Sequence, residues 1–508
     1  MESYGQPIGM LGKGSYGEVF HYRKEDRDYA IKIQSSTNGV ITRSFFQENI
    51  LSSLDHPNVI KIIDSGVTKD YEKNYIVYSL AVTDLSNYKE KDPEILRSLL
   101  FQLVNGTAYL TSKGIIHVDM KPANILIFPN NVLQIADFGL AKNIYCGVTS
   151  PRVIGTLWYN SPETLLSEES SPSNDVWSIA CIIYEKWTGE KAFTGSDTKD
   201  QMIDIVSDLG LEIAQWPEVV NYKGWTPFYQ RVGKHTLLNR ITNSLLKDLL
   251  SHMFVLNPKQ RYNIYQVLQH PFFANVITPV MLPEITIHSC LQLLSYRELP
   301  KARKHGSIET TVLGWLAEVS EEININMDSL SLAISLYNHY IDAKNPPLGN
   351  IQGYAMSALM MASSYKQGKR LDFNFARLIS ANIYTIAEVT KFYHELAKFY
   401  DYNLSYSTSQ DYLIQELKMV ESNELINKSS GIYTIVALFL MLSKNYSGKE
   451  IMELTKKIVN ILEINDKQPL PEGEVREAMK AINDGSKHYG EYLKKTFKVF
   501  LNELPNYI

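Results

Sequence analysis

The run His117-Val118-Asp119-Met120-Lys121-Pro122-Ala123-Asn124, followed by Asp137-Phe138-Gly139, constrains this chain more than any other stretch. It sets a carboxylate, a lysine and two metal-ligating groups at spacings that suit phosphoryl transfer. That chemistry asks little covalent participation of a protein, so catalysis rests on positioning and charge neutralisation. Asp119 would orient an attacking hydroxyl and accept its proton. Lys121 would lie against the γ-phosphate, and Asn124 and Asp137 would hold Mg²⁺.

A chain of 508 residues exceeds one ordinary core, so two or three domains are expected. Hydrophobic content of 44% with 21% charged residues suits a soluble globular protein. A net charge of −5 argues against nucleic acid as a partner bound through phosphate neutralisation. The basic cluster Lys301 to His305 is short and reads as a solvated linker. Cys146, Cys181 and Cys290 lie far apart with no metal or disulfide spacing, which fits a reducing, intracellular compartment, cytoplasmic or nuclear. No basic segment followed by an apolar run opens the chain, so no secretory signal is expected. The longest apolar run, Tyr433 to Leu442, is too short to span a membrane and reads as a buried helix.

Residues 1 to about 85 alternate short apolar runs with turn residues, predicting a small antiparallel sheet. One helix over Ser44 to Leu54 interrupts it, with Phe46, Ile50 and Leu54 recurring every four residues. From Pro93 to Phe273 the pattern is mostly helical. Pro279, Pro283 and Pro300 then break it, predicting a linker over 276–306. Beyond it apolar residues return at helical spacing, as in Leu330, Ile334, Tyr337 and Ile341, and an all-helical region follows with a division near Leu404.

Gly12-Lys13-Gly14-Ser15-Tyr16-Gly17-Glu18-Val19 lies between two strand-like segments. Glycines there let backbone approach phosphates without a Cβ in the way. Ala30-Ile31-Lys32 follows at a suitable distance. With the run at Asp119 and Asp137-Phe138-Gly139, these motifs resemble the glycine-rich loop, V-A-I-K, H-R-D-x-K-P-x-N and D-F-G signatures of serine/threonine protein kinases. The resemblance implies an α+β bilobal fold over 1–275, with an N-lobe over 1–80 and a C-lobe over 85–275. It implies ATP and Mg²⁺ as cofactors, protein substrates, and a nucleotide site using Gly12, Gly14, Tyr16, Gly17, Val19 and Lys32. Tyr78 to Asp84 should form the hinge, with Ala81 at its centre and Asp84 on the ribose. Ser161-Pro162-Glu163 resembles A-P-E, with Arg261 as the ion-pair partner of Glu163. Asp175-Val176-Trp177-Ser178 resembles the D-x-W-S helix start beneath the catalytic loop.

Gly155-Thr156-Leu157-Trp158-Tyr159-Asn160-Ser161-Pro162-Glu163 looks like the T-L-W-Y-R-A-P-E of cyclin-dependent kinases, and implies Thr156 in the catalytic set with Asp119 and Lys121. Three departures from that family stand out. Counting back from His56-Pro57-Asn58, the glutamate that should meet Lys32 falls on Gln47, with Glu48 beside it; Glu48 is slightly favoured. The arginines that clamp an activation-loop phosphothreonine are replaced by Phe46, Val118 and Lys142, and the threonine aligns with Pro151, so phosphorylation at neighbouring Thr149 or Ser150 should be dispensable. Asn160 replaces an arginine and Gly155 a valine, which argues against a strict requirement for proline after the target residue. Ser15 and Tyr16 occupy positions of inhibitory phosphorylation in the family.

Gly314-Trp315-Leu316-Ala317-Glu318-Val319-Ser320-Glu321-Glu322 resembles the V-D-W-L-x-E-V-x-E-E helix of the cyclin box. Asp328 to Ile334 continues it, and Met361-Ala362-Ser363-Ser364-Tyr365 looks like L-L-A-S-K-F. This likeness implies an all-α cyclin-box-like domain over 307–404 and a second cyclin-like bundle over 405–508. The Arg, Asp, Lys and Glu typical of the box fall on Glu309, Asn338, Ser364 and Tyr393, so the polar framework must be built otherwise. The implied protein is a cyclin-dependent-type kinase fused to its own activator, an arrangement that would suit a large DNA virus. About thirty extended linker residues reach roughly 100 Å, and tethering gives an effective concentration in the millimolar range. A pseudokinase scaffold, or a kinase whose helical half only recruits partners, are the competing expectations.

Overall fold

The computed structural model describes residues 2–14, 17–143, 155–167, 170–280, 307–406 and 408. Outside the described residues lie Ser15, Tyr16, Cys146, Thr149, Ser150, Pro151, Cys290, the cluster Lys301 to His305, most of the expected linker and nearly all of the expected second helical bundle, including Tyr433 to Leu442. By its contacts the chain divides into two units. Among the described residues the first takes 2–36, 44–143, 155–167 and 170–280, and the second takes Thr37–Arg43 and the residues from 307 onward.

The first unit begins with an antiparallel sheet of β1 (Pro7–Gly14), β2 (Gly17–Lys24), β3 (Arg27–Ser35), β4 (Asp64–Val67) and β5 (Lys73–Ser79), in the order β1-β2-β3-β5-β4. Its register sets Lys32 in the middle strand, opposite Val19 on β2 and Ile76 on β5. The helix expected over Ser44 to Leu54 is present in two forms. An α-helix, α1 (Arg43–Glu48), gives way to a 3₁₀ segment, Asn49–Ser53. Phe45, Phe46, Ile50 and Leu51 are buried, and Leu54 beyond them also closes onto the core.

The following region is helical but carries short strands that helical periodicity did not announce. These are β6 (Thr83–Asp84), β7 (Ile115–Ile116), β8 (Ile125–Phe128), β9 (Val132–Ile135) and β10 (Lys142–Asn143). They are too short to show a period of two against their helical surroundings, yet they hold the site. Pairing of Asp84 with Leu126 ties the hinge to the segment after Asn124, and pairing of Lys142 with Ile116 ties the segment after Asp137 to the catalytic run. Helix α2 (Pro93–Ser112) starts on Asp92, whose carboxylate accepts from Glu94 N at 2.8 Å, with Pro93 in the first turn. Next come α3 (Pro162–Ser167), α4 (Pro172–Thr188), α5 (Thr198–Leu209), α6 (Ser244–Met253) and α7 (Ile264–Leu268). Helix α4 is the spine, with every residue from Asn174 to Tyr184 buried, and Trp177 stacks on Phe193 and meets Phe254 edge-on.

In the second unit α8 (Ser307–Glu322), α9 (Met327–Lys344), α10 (Ile351–Ala362), α11 (Phe373–Ile379) and α12 (Ile386–Phe399) form an all-helical assembly. Leu330, Ile334, Tyr337 and Ile341, the predicted stripe, are all buried. Helix α10 is buried on every side except at Gln352, the mark of a central core helix. At Gly353 a Cβ would come within 2.4 Å of the Phe392 ring, so glycine lets α10 and α12 close together. Helix α10 continues as a π-turn, Ser363–Gln367, and ends on Gly368 with φ +71°. Asn338, Ser364 and Tyr393, where cyclins carry charged residues, are buried. Val40 and Ile41 of the 37–43 segment are also buried; Arg370 donates to Thr37 Oγ1 at 2.8 Å, and His394 Nε2 donates to Gly39 O at 3.0 Å. Burial pushes His394 down to about 4, so the ring is neutral and suited to that bond.

Candidate functional site

Gly12, Gly14 and Gly17 end and begin the two strands of the first hairpin. Gly17 has φ +137°, and a Cβ there would meet Ile33 O at 2.5 Å, so only glycine fits. At Gly12 a Cβ would meet nothing within 4 Å. Its glycine is therefore not demanded by packing, as expected where a ligand is to approach. Tyr16 lies outside the described residues.

Lys32 sits between two carboxylates, with Nζ 2.6 Å from Glu48 Oε2 and 2.6 Å from Asp137 Oδ1. Burial would lower its pKa, but the two carboxylates outweigh burial and hold it above the ordinary lysine value. Asp137 is likewise pushed up by burial and pulled below its ordinary value by Lys32. At Glu48 burial outweighs Lys32 and a hydrogen bond from Tyr78 and holds the carboxyl above its ordinary value. We regard the pair as ionised, because Lys32 and Tyr78 both donate to the Glu48 carboxylate at 2.6 Å.

The residue facing Lys32 is thus Glu48, one position beyond the ungapped count that gave Gln47. The 3₁₀ segment explains the offset. It rises about 2.0 Å per residue against 1.5 Å in an α-helix, so fewer residues cover the distance to His56. Gln47 is buried too, and its Nε2 donates to Ala141 O at 3.2 Å, just after Asp137-Phe138-Gly139. Two consecutive side chains of α1 therefore reach two different strips of chain. The same shift moves Gln47, not Phe46, into the place of the first clamp arginine.

Beneath the sheet, the catalytic run is held by its own backbone. Asp175, in the first turn of α4, accepts from His117 N at 2.7 Å and Val118 N at 3.0 Å. Val118 has φ +75°, an outlier for a β-branched residue, and Asp137 has φ +63°. His117 Nε2 donates to Ala136 O at 2.8 Å and its ring meets the fully buried Phe138 edge-on, which leaves Asp137 to face the cavity. Asp119 Oδ1 accepts from Thr156 N at 2.7 Å and Thr156 Oγ1 at 2.8 Å. Lys121 Nζ bridges Asp119 Oδ2 at 2.7 Å and Thr156 Oγ1 at 2.9 Å. Asn124 Nδ2 donates to Asp119 O and Oδ2, at 2.8 and 3.1 Å. Thr156, Asp119, Lys121 and Asn124 thus form one cluster.

A cavity of about 770 Å³ joins the two walls. It is lined by Gly12, Gly14, Gly17, Val19, Lys32, Glu48, Ala81, Asp84, Asp119, Lys121, Asn124, Asp137 and Thr156, among others. Asp84 carries a second duty, since its carboxylate accepts from Ser86 and Asn87 and closes the turn after the hinge. Burial raises its pKa, but those bonds outweigh it and hold the group below its ordinary value. Among the described residues no cluster of three His, Cys, Asp or Glu side chains could cage a metal alone. One carboxylate and one amide oxygen fit a hard cation that takes its remaining ligands from phosphates and water. Both Asn124 amide hydrogens are engaged by Asp119, which leaves its oxygen for that purpose.

Glu163 and Arg261, expected as a pair, meet in a two-pronged contact of 2.7 and 2.9 Å, with the guanidinium over Trp177. Three contacts are unforeseen in the sequence, although Tyr78 falls in the expected hinge and Gly155 marks a departure from the family. Tyr78, one tyrosine among 32, contacts Glu48; Gln34, two residues after Lys32, donates to Glu48 at 3.3 Å. At Gly155 a Cβ would lie 2.6 Å from Val118 O and 3.2 Å from Asp119 Oδ1. The glycine that replaces a valine of the family therefore lets this segment close on the catalytic loop.

Among the described residues no helix is long and apolar enough to cross a membrane. A family model for the protein kinase domain matches residues 6–273, and one for the N-terminal domain of cyclins matches residues 289–405. The first covers more than half of the chain and contains the whole cavity. With a β-sheet lobe, a helical lobe and a helical cyclin domain following them, this chain belongs to the protein kinase family.

Proposed function

We propose that the chain transfers the γ-phosphoryl group of ATP to serine or threonine hydroxyls of proteins, as a cyclin-dependent-type kinase activated in cis by its own cyclin domain. The observation that carries this reading is the joint engagement of Lys32 by Glu48 and Asp137 beside the assembled cluster of Asp119, Lys121 and Thr156. A scaffold has no need of all these groups at bonding distance. Asp119 would accept the proton of the substrate hydroxyl, and Lys121 and Thr156 hold its carboxylate in place. Lys32 would bind the α- and β-phosphates; Asn124 and Asp137 would hold Mg²⁺, which supplies charge neutralisation on the phosphates when bound.

Two features support activation from within the chain. The segment Thr37–Arg43 groups by its contacts with the helical unit and runs without a break into α1, which carries Glu48. Gln47 secures Ala141 O by a neutral hydrogen bond, so the start of the loop after Asp137 is restrained without a phosphate. The full chain, given radiolabelled ATP and Mg²⁺ with no added cyclin, is expected to phosphorylate a protein acceptor. No incorporation by the full chain, with an added cyclin restoring it, would refute self-activation; none under either condition would refute the enzyme.

A further inference from the structure

We propose that Tyr78 is a positioning residue of the nucleotide site: its phenol fixes the carboxylate of Glu48 and, through it, the ammonium of Lys32. The proposal rests on the kinase reading above. Glu48 is 1% exposed, so each of its oxygens needs a protein donor. Oε2 has two, Lys32 at 2.6 Å and Gln34 at 3.3 Å. Among the described residues Oε1 has Tyr78, whose O–H donates at 2.6 Å. Gln34 is itself oriented by Ser44, whose hydroxyl donates to Gln34 Oε1 at 3.1 Å.

A phenol buried on β5 could simply have found a nearby acceptor. Three points argue for more. Tyr78 lines the nucleotide cavity beside Lys32, so a change at its hydroxyl is felt where the phosphates are to bind. The acceptor is the one carboxylate that reaches Lys32 from α1, the helix next to the Thr37–Arg43 segment. Without the phenol, Oε1 would be a charged oxygen buried with no donor among the described residues. The carboxylate would then turn to recover a bond or take up a proton, and either change loosens its hold on Lys32. Asp137, also 2.6 Å from Lys32, would remain the one firm carboxylate restraint.

Tyr78→Phe keeps the ring and removes only the donor. In the full chain, Lys32 acylation by a soluble amine-reactive ester is followed by mass spectrometry, together with affinity for a fluorescent ATP analogue with Mg²⁺. Expected are several-fold faster acylation of Lys32, with other lysines unchanged, and nucleotide affinity weakened roughly 10-fold, the scale of one hydrogen bond to a charged group. A Tyr78→Phe/Glu48→Ala double variant should bind nucleotide no more weakly than Glu48→Ala alone. Unchanged Lys32 acylation in Tyr78→Phe would overturn the proposal whatever the affinity, and so would equal losses in the two backgrounds. If the unaltered chain bound no nucleotide, the kinase reading would fall and this role with it; altered Lys32 reactivity would then report the tether alone.

Discussion

The two walls of the cavity are built on different principles. The lower wall is local: Asp119, Lys121 and Asn124 lie within six positions, and their bonds run among themselves and to Thr156. The upper wall is assembled from afar: Lys32 meets Glu48 across sixteen positions and Asp137 across 105. The lower wall keeps its geometry as long as Asp175 and Thr156 hold its loop. One assembled from distant elements depends on where α1 sits, so a displacement of α1 reaches the upper wall directly.

The sharpest break of this contrast is Asp119→Asn. It should lower turnover by about 10²–10⁴-fold, the range for losing a general base, with the fold unchanged by circular dichroism. Survival of turnover would remove the lower wall from the chemistry. Next in size is Arg261→Ala, which removes the two-pronged partner of the buried Glu163; breaking such a buried pair costs roughly 3–5 kcal/mol. Denaturant unfolding should show it, and a loss below 1 kcal/mol would mean that the segment after Thr156 is anchored elsewhere.

On the upper wall, Glu48→Ala removes the carboxylate that accepts from Lys32, Tyr78 and Gln34; with the Lys32 bond the one that bears on the nucleotide, turnover should fall roughly 10- to 150-fold. Gln47→Ala, which removes a neutral bond worth about 0.5–1.5 kcal/mol, should lower it roughly 2- to 12-fold. Equal effects in steady-state kinetics would contradict the division of labour between these neighbours. Smallest of all, Thr149→Ala/Ser150→Ala should leave turnover unchanged; its loss would show that the loop needs a phosphate after all.

This contrast also explains what could be read from the sequence. The grouping of the lower wall was legible because short spacing brings Asp119, Lys121 and Asn124 into one loop. The pairing of Glu163 with Arg261 was legible through family resemblance alone. Along α1 the reading wavered between Gln47 and Glu48, since one residue rotates a helical side chain by about 100° and nothing in the sequence marks the switch to 3₁₀ geometry. Tyr78 falls in the expected hinge, but its bond to Glu48 was invisible because it depends on which strand lies beside β3. The strands β6 to β10 went unannounced because two to four residues cannot display a period. Helical spacing did mark the second unit, where Leu330, Ile334, Tyr337 and Ile341 all face the interior.

Val118 has a wider consequence. Its φ of +75° places a branched side chain where L-residues resist going, at a cost of order 1–3 kcal/mol. Asp175 offsets that resistance by gripping two successive amides from the base of α4, whose residues from Asn174 to Tyr184 are all buried. The catalytic loop is a sprung catch whose latch is set in the foundation. A core substitution that lets α4 drift would loosen both amides at once, since one carboxylate holds them.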